Sequence, residues 1–250
     1  MRAYNYLTFL SFEIKVSYVK IKDIIKNMNL FDVLLLVISI AVIISVTIVF
    51  NGSYWSLASA LLGVTSILFI AKGMCIGQVI SIAYCLVYAY TSYISRYYGE
   101  TITYIVMTLP LSIASLIAWL RNLYKNSVEV KVGHMSNKSW TIMAITTILV
   151  LIGFYFLLKY LNTANLIVST ISIGTSYTAS YLSLKRSPYY AVAYALNDIV
   201  LLTLWTMESF NNIAYLSLAI SSFVYLINDL YGLYNWSKMK KRQRETQTTN

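Results

Sequence analysis

The polar residues that could take part in chemistry lie inside segments that are otherwise apolar. Asp198 lies near the middle of the apolar segment 188–209, and Asn197 precedes it. At about 1.5 Å per residue, a helix would place Asp198 about 15 Å from either end of this segment. The same dipeptide recurs in the next apolar segment as Asn228–Asp229. An ionisable side chain in such a place is costly, which makes it a candidate functional site.

Aromatic, amide and hydroxyl side chains share helix faces with these polar residues. Residues three, four or seven apart lie on one side of a helix, and Tyr190, Tyr194 and Asn197 have this spacing. Such a face suits a flat polar solute, because rings stack while amides and carboxylates bond to ring substituents and sugar hydroxyls. We predict these substrate-binding residues: Tyr104, Thr108, Ser112, Tyr190, Tyr194, Asn197, Asp198, Trp205 and Asn228.

The same residue types also have a purely structural interpretation. Serines in membrane helices commonly allow close packing, and Trp or Tyr near a helix end often anchors it at the interface. A buried acid can pair with another polar group without any further role. We favour the functional interpretation because several segments bring these side chains to one depth.

An enzyme finds little support in the sequence. The one histidine, His134, falls in a polar segment, and neither Gly-x-Ser-x-Gly nor His-Glu-x-x-His occurs. Cys75 and Cys85 do not have the spacing of a metal site or a disulfide framework. Because catalysis needs a nucleophile with its base, a metal or a carboxylate pair, we predict a protein that is not an enzyme and uses no cofactor or metal.

The composition indicates that lipid surrounds most of the chain. Of the 250 residues, 58% are hydrophobic and 11% are charged, whereas roughly 25% of residues are charged in soluble proteins. Crossing the hydrocarbon core takes about 20 apolar residues in a helix. The predicted transmembrane helices are 30–50, 53–73, 76–95, 101–120, 139–161, 164–184, 188–209 and 212–236.

The basic residues predict the orientation of these helices. If both termini are cytoplasmic, every Lys and Arg except Arg96 and Lys159 falls on the cytoplasmic side, as the positive-inside rule requires. The net charge of +10 is then a signal of topology rather than of nucleic-acid binding. The basic segment Lys238–Arg244 is expected to lie against anionic lipid.

The longest polar segment, 121–138, divides the chain into two similar halves. Each half ends in a similar way, with a Trp followed two residues later by a basic residue at the predicted membrane boundary. These sequences are Trp119–Asn122 and Asn235–Lys238. We predict an all-α integral membrane protein with a 3+1+3 core of parallel repeats, SWEET-like, and one extra N-terminal helix. Parallel repeats hold substrate near the midplane where they meet. The predicted parts are an amphipathic cytoplasmic segment 1–28, the extra helix 29–50, the first unit 53–120, the loop 121–138, the linker helix 139–161, the second unit 164–236 and the cytoplasmic tail 237–250.

Several of these residues resemble the PnuC family of vitamin transporters over about residues 53–240. In the first unit, the sequence Tyr98-Gly99-Glu100-Thr101-Ile102-Thr103 leads to Pro110 and Trp119 at the spacing of the family. The second unit matches at Ala179, Leu182, Arg186, Asn197, Trp205, Tyr225 through Asn228, Gly232 and Trp236.

The resemblance implies facilitated uptake of nicotinamide riboside across a bacterial inner membrane. It also implies the three-one-three bundle, a substrate held between the units by aromatics and amides, and a cytoplasmic kinase that traps the substrate by phosphorylation. Relatives carry thiamine, riboflavin or deoxynucleosides. Nucleotides are disfavoured here because a phosphate would lie beside Asp198.

The sequence departs from the family pattern at several aromatic and polar positions, which changes the pattern of hydrogen-bonding groups. Where the family usually has Glu-Gln-Trp and a further Trp, this chain has Tyr189, Tyr190, Ala191 and Tyr194. These changes leave the identity of the vitamin or nucleoside open. A non-transporting membrane sensor is a separate alternative that agrees with the sequence. Tyr104 and Ser112 likewise replace a common Asn and Gln. Ion coupling and oligomeric state, a homo-oligomer included, are also left open.

Overall fold

The computed structural model describes residue 24 and residues 26–95, 97–125, 127–163 and 165–248. The predicted amphipathic segment lies almost entirely outside these residues. Within them the chain forms eight long helices. These are α1 (Leu30–Val49), α2 (Tyr54–Ala71), α3 (Cys75–Ile94), α4 (Tyr98–Leu120), α5 (Asn137–Tyr160), α6 (Leu166–Leu184), α7 (Tyr190–Ser209) and α8 (Leu216–Thr248).

The helices have the length and apolarity expected of a membrane protein. Of the eight, all except α6 are both long and apolar enough to cross a bilayer by composition. Helix α6 has 19 residues, and its many Ser and Thr side chains make it more polar. It packs between α5, α7 and α4, so neighbouring helices cover its polar face. The predicted all-helical membrane fold is confirmed.

Helix α4 changes its winding near the centre of the bundle. Residues Thr103–Thr108 form a π-helical turn between the α-helical parts Tyr98–Ile102 and Leu109–Leu120. Pro110 lies two residues after this turn. Because proline has no N–H to donate to the carbonyl four residues earlier, it favours such a change of hydrogen bonding. π-Turns within helices are frequent at functional sites. Here the turn carries Tyr104 and Thr108.

Helix α1 lies outside the two predicted units and packs on α2 and α8. Buried Asp32 ties it to both, since it forms an ion pair with Lys72 at 2.8 Å and accepts a hydrogen bond from the Tyr231 hydroxyl. Asp32 and Asn29 also cap the start of α1 by bonding to each other's backbone N–H. These contacts fix α1 at the end of the bundle that carries the basic loop.

The loop 121–136, here called the connecting loop, bonds to one turn in each predicted unit: the turn that follows α2 and the turn that follows α6. The Val130 N–H donates to the Gly73 carbonyl after α2, and the Gly133 N–H donates to the Arg186 carbonyl after α6, each at 2.8 Å. A Cβ at Gly133 would lie 2.1 Å from the Lys185 carbonyl oxygen, so only glycine allows this approach. The predicted repeat arrangement gains support from these matching bonds.

Helix α8 continues well beyond the predicted membrane boundary at residue 236. Its extension packs on the connecting loop, where Gln243 accepts from the Val132 N–H at 2.9 Å and donates to the Val130 carbonyl at 3.0 Å. Arg242 pairs with Glu129 of the same loop. These contacts explain why the polar tail is helical as far as Thr248.

Candidate functional site in the centre of the bundle

A cavity of about 80 Å³ lies at the depth of the π-turn of α4. Helices α2, α3, α4, α6, α7 and α8 all contribute to its wall, so it lies between the two predicted units. The residues that line it are Gly63, Ser66, Ile67, Ile70, Ser81, Tyr84, Tyr104, Thr108, Ser176, Tyr190, Tyr194, Asn197, Asp198, Leu201, Tyr225 and Asp229.

Two carboxyl groups lie in this cavity without a basic partner among the residues that the structure describes. Asp198 and Asp229 are 4% and 2% exposed, and the lining residues include no Lys, Arg or His. Oδ2 of Asp198 and the Tyr190 hydroxyl have no hydrogen-bond partner among the described residues. Buried polar groups are normally satisfied, and leaving one unsatisfied costs about 1–3 kcal/mol. These two polar groups make the cavity the candidate site for a polar solute.

The remaining polar side chains are held by neighbours across the cavity. Oδ1 of Asn197 accepts from the Thr175 hydroxyl of α6 at 2.9 Å, which leaves the two amide N–H donors of Asn197 for other partners. The Tyr194 hydroxyl bonds to Ser180 at 3.1 Å. Such bonds fix the orientation of the side chains before any solute binds.

A tyrosine cluster forms the side of the cavity away from the connecting loop. The Tyr84 and Tyr104 hydroxyls lie 3.2 Å apart, and the ring of Tyr88 lies 4.3 Å from that of Tyr104, centroid to centroid. These rings offer flat apolar faces next to the two carboxyl groups. The combination can hold a flat ring with a positive charge by stacking and by charge attraction.

Comparison with known proteins places the chain in a transporter family. The model of a family described as "Nicotinamide mononucleotide transporter" matches residues 53–238. The chain belongs to this family, the PnuC family of transporters. The predicted resemblance is thus confirmed, and this PnuC family member is a multi-pass membrane transporter rather than an enzyme.

Named relatives of this PnuC family member are nicotinamide riboside transporters. The protein PnuC of Neisseria mucosa is 24% identical over 204 residues, which cover 79% of this chain and 78% of the relative. That of Haemophilus influenzae is 24% identical over 195 residues, covering 76% and 82%. A crystal structure of the vitamin B3 transporter PnuC has the same fold, with a TM-score of 0.73 at 22% identity over 86% of this chain and 94% of that one.

The structure brings most of the predicted binding residues of this PnuC family member into the central cavity. Those that line it are Tyr104, Thr108, Tyr190, Tyr194, Asn197 and Asp198. Three predicted residues do not line this cavity: Ser112, Trp205 and Asn228. Ser112 lies behind the wall, where it bonds to Ser81 and Cys85 at 3.3 and 3.9 Å. Trp205 lies further toward the opposite end of the bundle from the connecting loop and lines other pockets.

Asn228 is the third predicted residue that does not line the cavity. It is 0% exposed and faces α1, where its amide donates to the Ser39 hydroxyl at 3.0 Å. The amide also donates to the Val224 carbonyl of its own helix at 2.9 Å. Its neighbour Asp229 lines the cavity instead, because adjacent residues point about 100° apart around a helix. Asn228 therefore contacts the extra helix rather than the central cavity.

The predicted set of binding residues lacked several residues that line the cavity. Tyr225 and Asp229 are four residues apart on α8, and both line the cavity. Their spacing, which places them on one helix face, is the sequence signal that could have identified both. Tyr225 donates to the Ala60 carbonyl at 3.0 Å, and a Cβ at Gly63 would lie 2.6 Å from the Tyr225 hydroxyl oxygen. Gly63 thus makes room for this tyrosine beside the cavity.

Proposed function

We propose that this protein carries nicotinamide riboside, or a closely related nucleoside-like vitamin, across the bacterial inner membrane. Substrate would bind in the central cavity between the two units, with both termini in the cytoplasm as the basic residues predict. The observation that carries the proposal is the unsatisfied Asp198 Oδ2, which lies with the unsatisfied Tyr190 hydroxyl in a cavity walled by tyrosines.

The chemistry of nicotinamide riboside matches these groups. Its flat pyridinium ring carries a permanent positive charge, which the carboxyl groups of Asp198 and Asp229 would offset and tyrosine rings would cover. Its carboxamide and ribose hydroxyls would bond to Asn197 and the Tyr190 hydroxyl. The phosphate of nicotinamide mononucleotide would lie close to two acids, so we expect the riboside rather than the nucleotide to be carried.

The carboxyl pair also ranks the alternative substrates. Thiamine contains a cationic ring, whereas riboflavin and deoxynucleosides are neutral. Because the described residues that line the cavity include two acids and no basic side chain, thiamine is the second candidate. Both cations would gain from the same charge attraction, and the neutral solutes would not.

Transport requires the cavity to change size. Its volume of about 80 Å³ is well below the roughly 300 Å³ or more of typical small-molecule sites. We infer that the two units move apart on one side at a time, as in other repeat-built transporters. Net uptake would follow the concentration gradient, which a cytoplasmic kinase would maintain by phosphorylating the substrate.

Flux into liposomes that contain only the purified protein tests this function. We expect nicotinamide riboside to enter, thiamine to compete, and Asn197→Ala to reduce the initial rate at least about tenfold, with little loss of thermal stability. Thr206→Val is the matched control, because Thr206 is an exposed residue of α7 that bonds to its own helix at the Leu202 carbonyl. Absence of flux for every candidate solute would favour the non-transporting sensor, and normal flux in folded Asn197→Ala would remove Asn197 from the site.

A further inference from the structure

A cluster of aromatic rings bridges the bundle at the end opposite the connecting loop. Tyr97, which precedes α4, meets Trp205 of α7 edge to face, with ring centroids 5.8 Å apart. Tyr215, which precedes α8, lies 5.8 Å from each of the other two rings. Since Tyr97 belongs to the first predicted unit and Trp205 to the second, these rings close the cleft between the units at this end.

A pocket of about 220 Å³ lies on one side of this aromatic bridge. Helices α4, α5, α6 and α7 surround it, and its wall includes Tyr97, Tyr98, Glu100, Trp205 and Glu208. We call it the outer acidic pocket. It is larger than the central cavity and separate from it, since the two have no lining residue in common.

Both acids of the outer acidic pocket lack a basic partner in the described part of the chain. Ion pairs there join Lys72 to Asp32 and Arg242 to Glu129, and none of the described residues that line the pocket is a Lys, Arg or His. Glu208 is 6% exposed. One of its carboxyl oxygens accepts from the Asn165 amide at 2.6 Å, which orients the group without neutralising it. A buried carboxylate without a counter-ion is unfavourable, and a bound cation would offset that cost.

The pocket on the other side of the aromatic bridge is different in character. Its volume is about 240 Å³, and the described residues that line it contribute hydroxyl groups, aromatic rings and apolar groups but no carboxylate. It shares Tyr97 and Trp205 with the outer acidic pocket. A cation would therefore prefer the acidic side, where the same two rings and both glutamates are available.

We propose that the outer acidic pocket is a second binding site, which takes a flat organic cation before it reaches the central cavity. The ring would lie against Trp205 and Tyr97, and Glu100 and Glu208 would offset its charge. Such a site raises the local concentration of a cationic substrate at the mouth of the cleft. The identity of this cation as the pyridinium ring of nicotinamide riboside rests on the proposed function.

The test uses the full-length purified protein with Asp198→Asn and Asn197→Ala, which disable the central cavity. The probes are 1-methylnicotinamide, a permanent cation without ribose, and nicotinamide, its neutral counterpart. By titration calorimetry we expect 1-methylnicotinamide to bind and nicotinamide not to bind. Adding Glu208→Gln should raise the Kd for 1-methylnicotinamide about tenfold, as the loss of one charge contact predicts, and salt should weaken binding.

Glu129→Gln is the matched control, because it removes a carboxylate at the opposite end of the molecule and should leave the Kd unchanged. Glu100→Gln provides a second variant should loss of the Glu208–Asn165 bond unfold the protein. The proposal is overturned if 1-methylnicotinamide does not bind, or if folded Glu208→Gln and Glu100→Gln both leave its Kd unchanged. Failure of the proposed function is a separate result, seen as absent riboside flux in the wild-type protein.

Discussion

Trp119 and Trp236 lie in contact at the end of the bundle that carries the connecting loop, with ring centroids 5.5 Å apart, and each indole N–H bonds across to the opposite unit. Trp119 at the end of α4 donates to the Ser183 carbonyl of α6 at 2.9 Å. Trp236 of α8 donates to the Ile70 carbonyl of α2, also at 2.9 Å. Each unit thus contributes its third helix to the first helix of the other. This reciprocal pair supports the proposed 3+1+3 repeat and fixes the units together on the side of the connecting loop.

We expect Trp119→Phe and Trp236→Phe to destabilise the protein by similar amounts. Each change leaves a buried carbonyl without its indole donor, at a cost of about 1–3 kcal/mol. The double variant should depart from additivity because the two rings touch. Thermal unfolding in detergent measures these effects. Trp140→Phe is the control, since that ring is partly exposed and should cost little. A large loss for only one of the pair would argue against equivalent roles.

Two buried aspartates should respond oppositely to replacement by Asn. Asp198→Asn should reduce uptake of cationic riboside about tenfold or more while leaving thermal stability equal or higher, because it removes an acid with an unsatisfied oxygen. Asp32→Asn should lower stability, since it leaves Lys72 without its ion-pair partner, and breaking a buried pair costs about 3–5 kcal/mol. Uptake assays and thermal unfolding of both variants check this contrast. Unchanged riboside uptake in Asp198→Asn would contradict the assigned role of the carboxylate.

Asn228→Ala should affect stability rather than substrate affinity. Its amide joins α8 to Ser39 of α1, so we expect a loss of about 1–3 kcal/mol and a KM for riboside within about twofold of wild type. A double-mutant cycle with Ser39→Ala should reveal coupling between the two residues. An increased KM in a stable Asn228→Ala protein would return this residue to the binding site.

Gln243→Ala should loosen the connecting loop. The change removes the donor to the Val130 carbonyl and the acceptor of the Val132 N–H. Hydrogen exchange should therefore become faster at Val132, and also at Val130 and Gly133, whose N–H groups bond to the turns that follow α2 and α6. Lys241→Ala is the control because Lys241 is an exposed neighbour on α8. Unchanged exchange across the loop would mean that Gln243 does not hold it.

Composition and periodicity determined the membrane environment, the eight helices and part of the lining of the central cavity. Few charges and long apolar segments require a lipid surround, and helical spacing placed Tyr190, Tyr194 and Asn197 on one face. The motifs of two units also identified the family. The orientation and the boundaries of the units stay predictions.

Only the tertiary structure decided which partner each polar face meets. Spacing shows that Tyr225 and Asp229 share a side of α8 and that Asn228 points elsewhere, but not which side faces the cavity and which faces α1. The position of Trp205 within its helix likewise did not show that its ring contacts Tyr97, at the end of the bundle opposite the connecting loop. The extension of α8 depends on Gln243 meeting a loop more than 100 residues away in sequence. A sequence pattern encodes periodicity within one helix, whereas these choices depend on how separate helices pack.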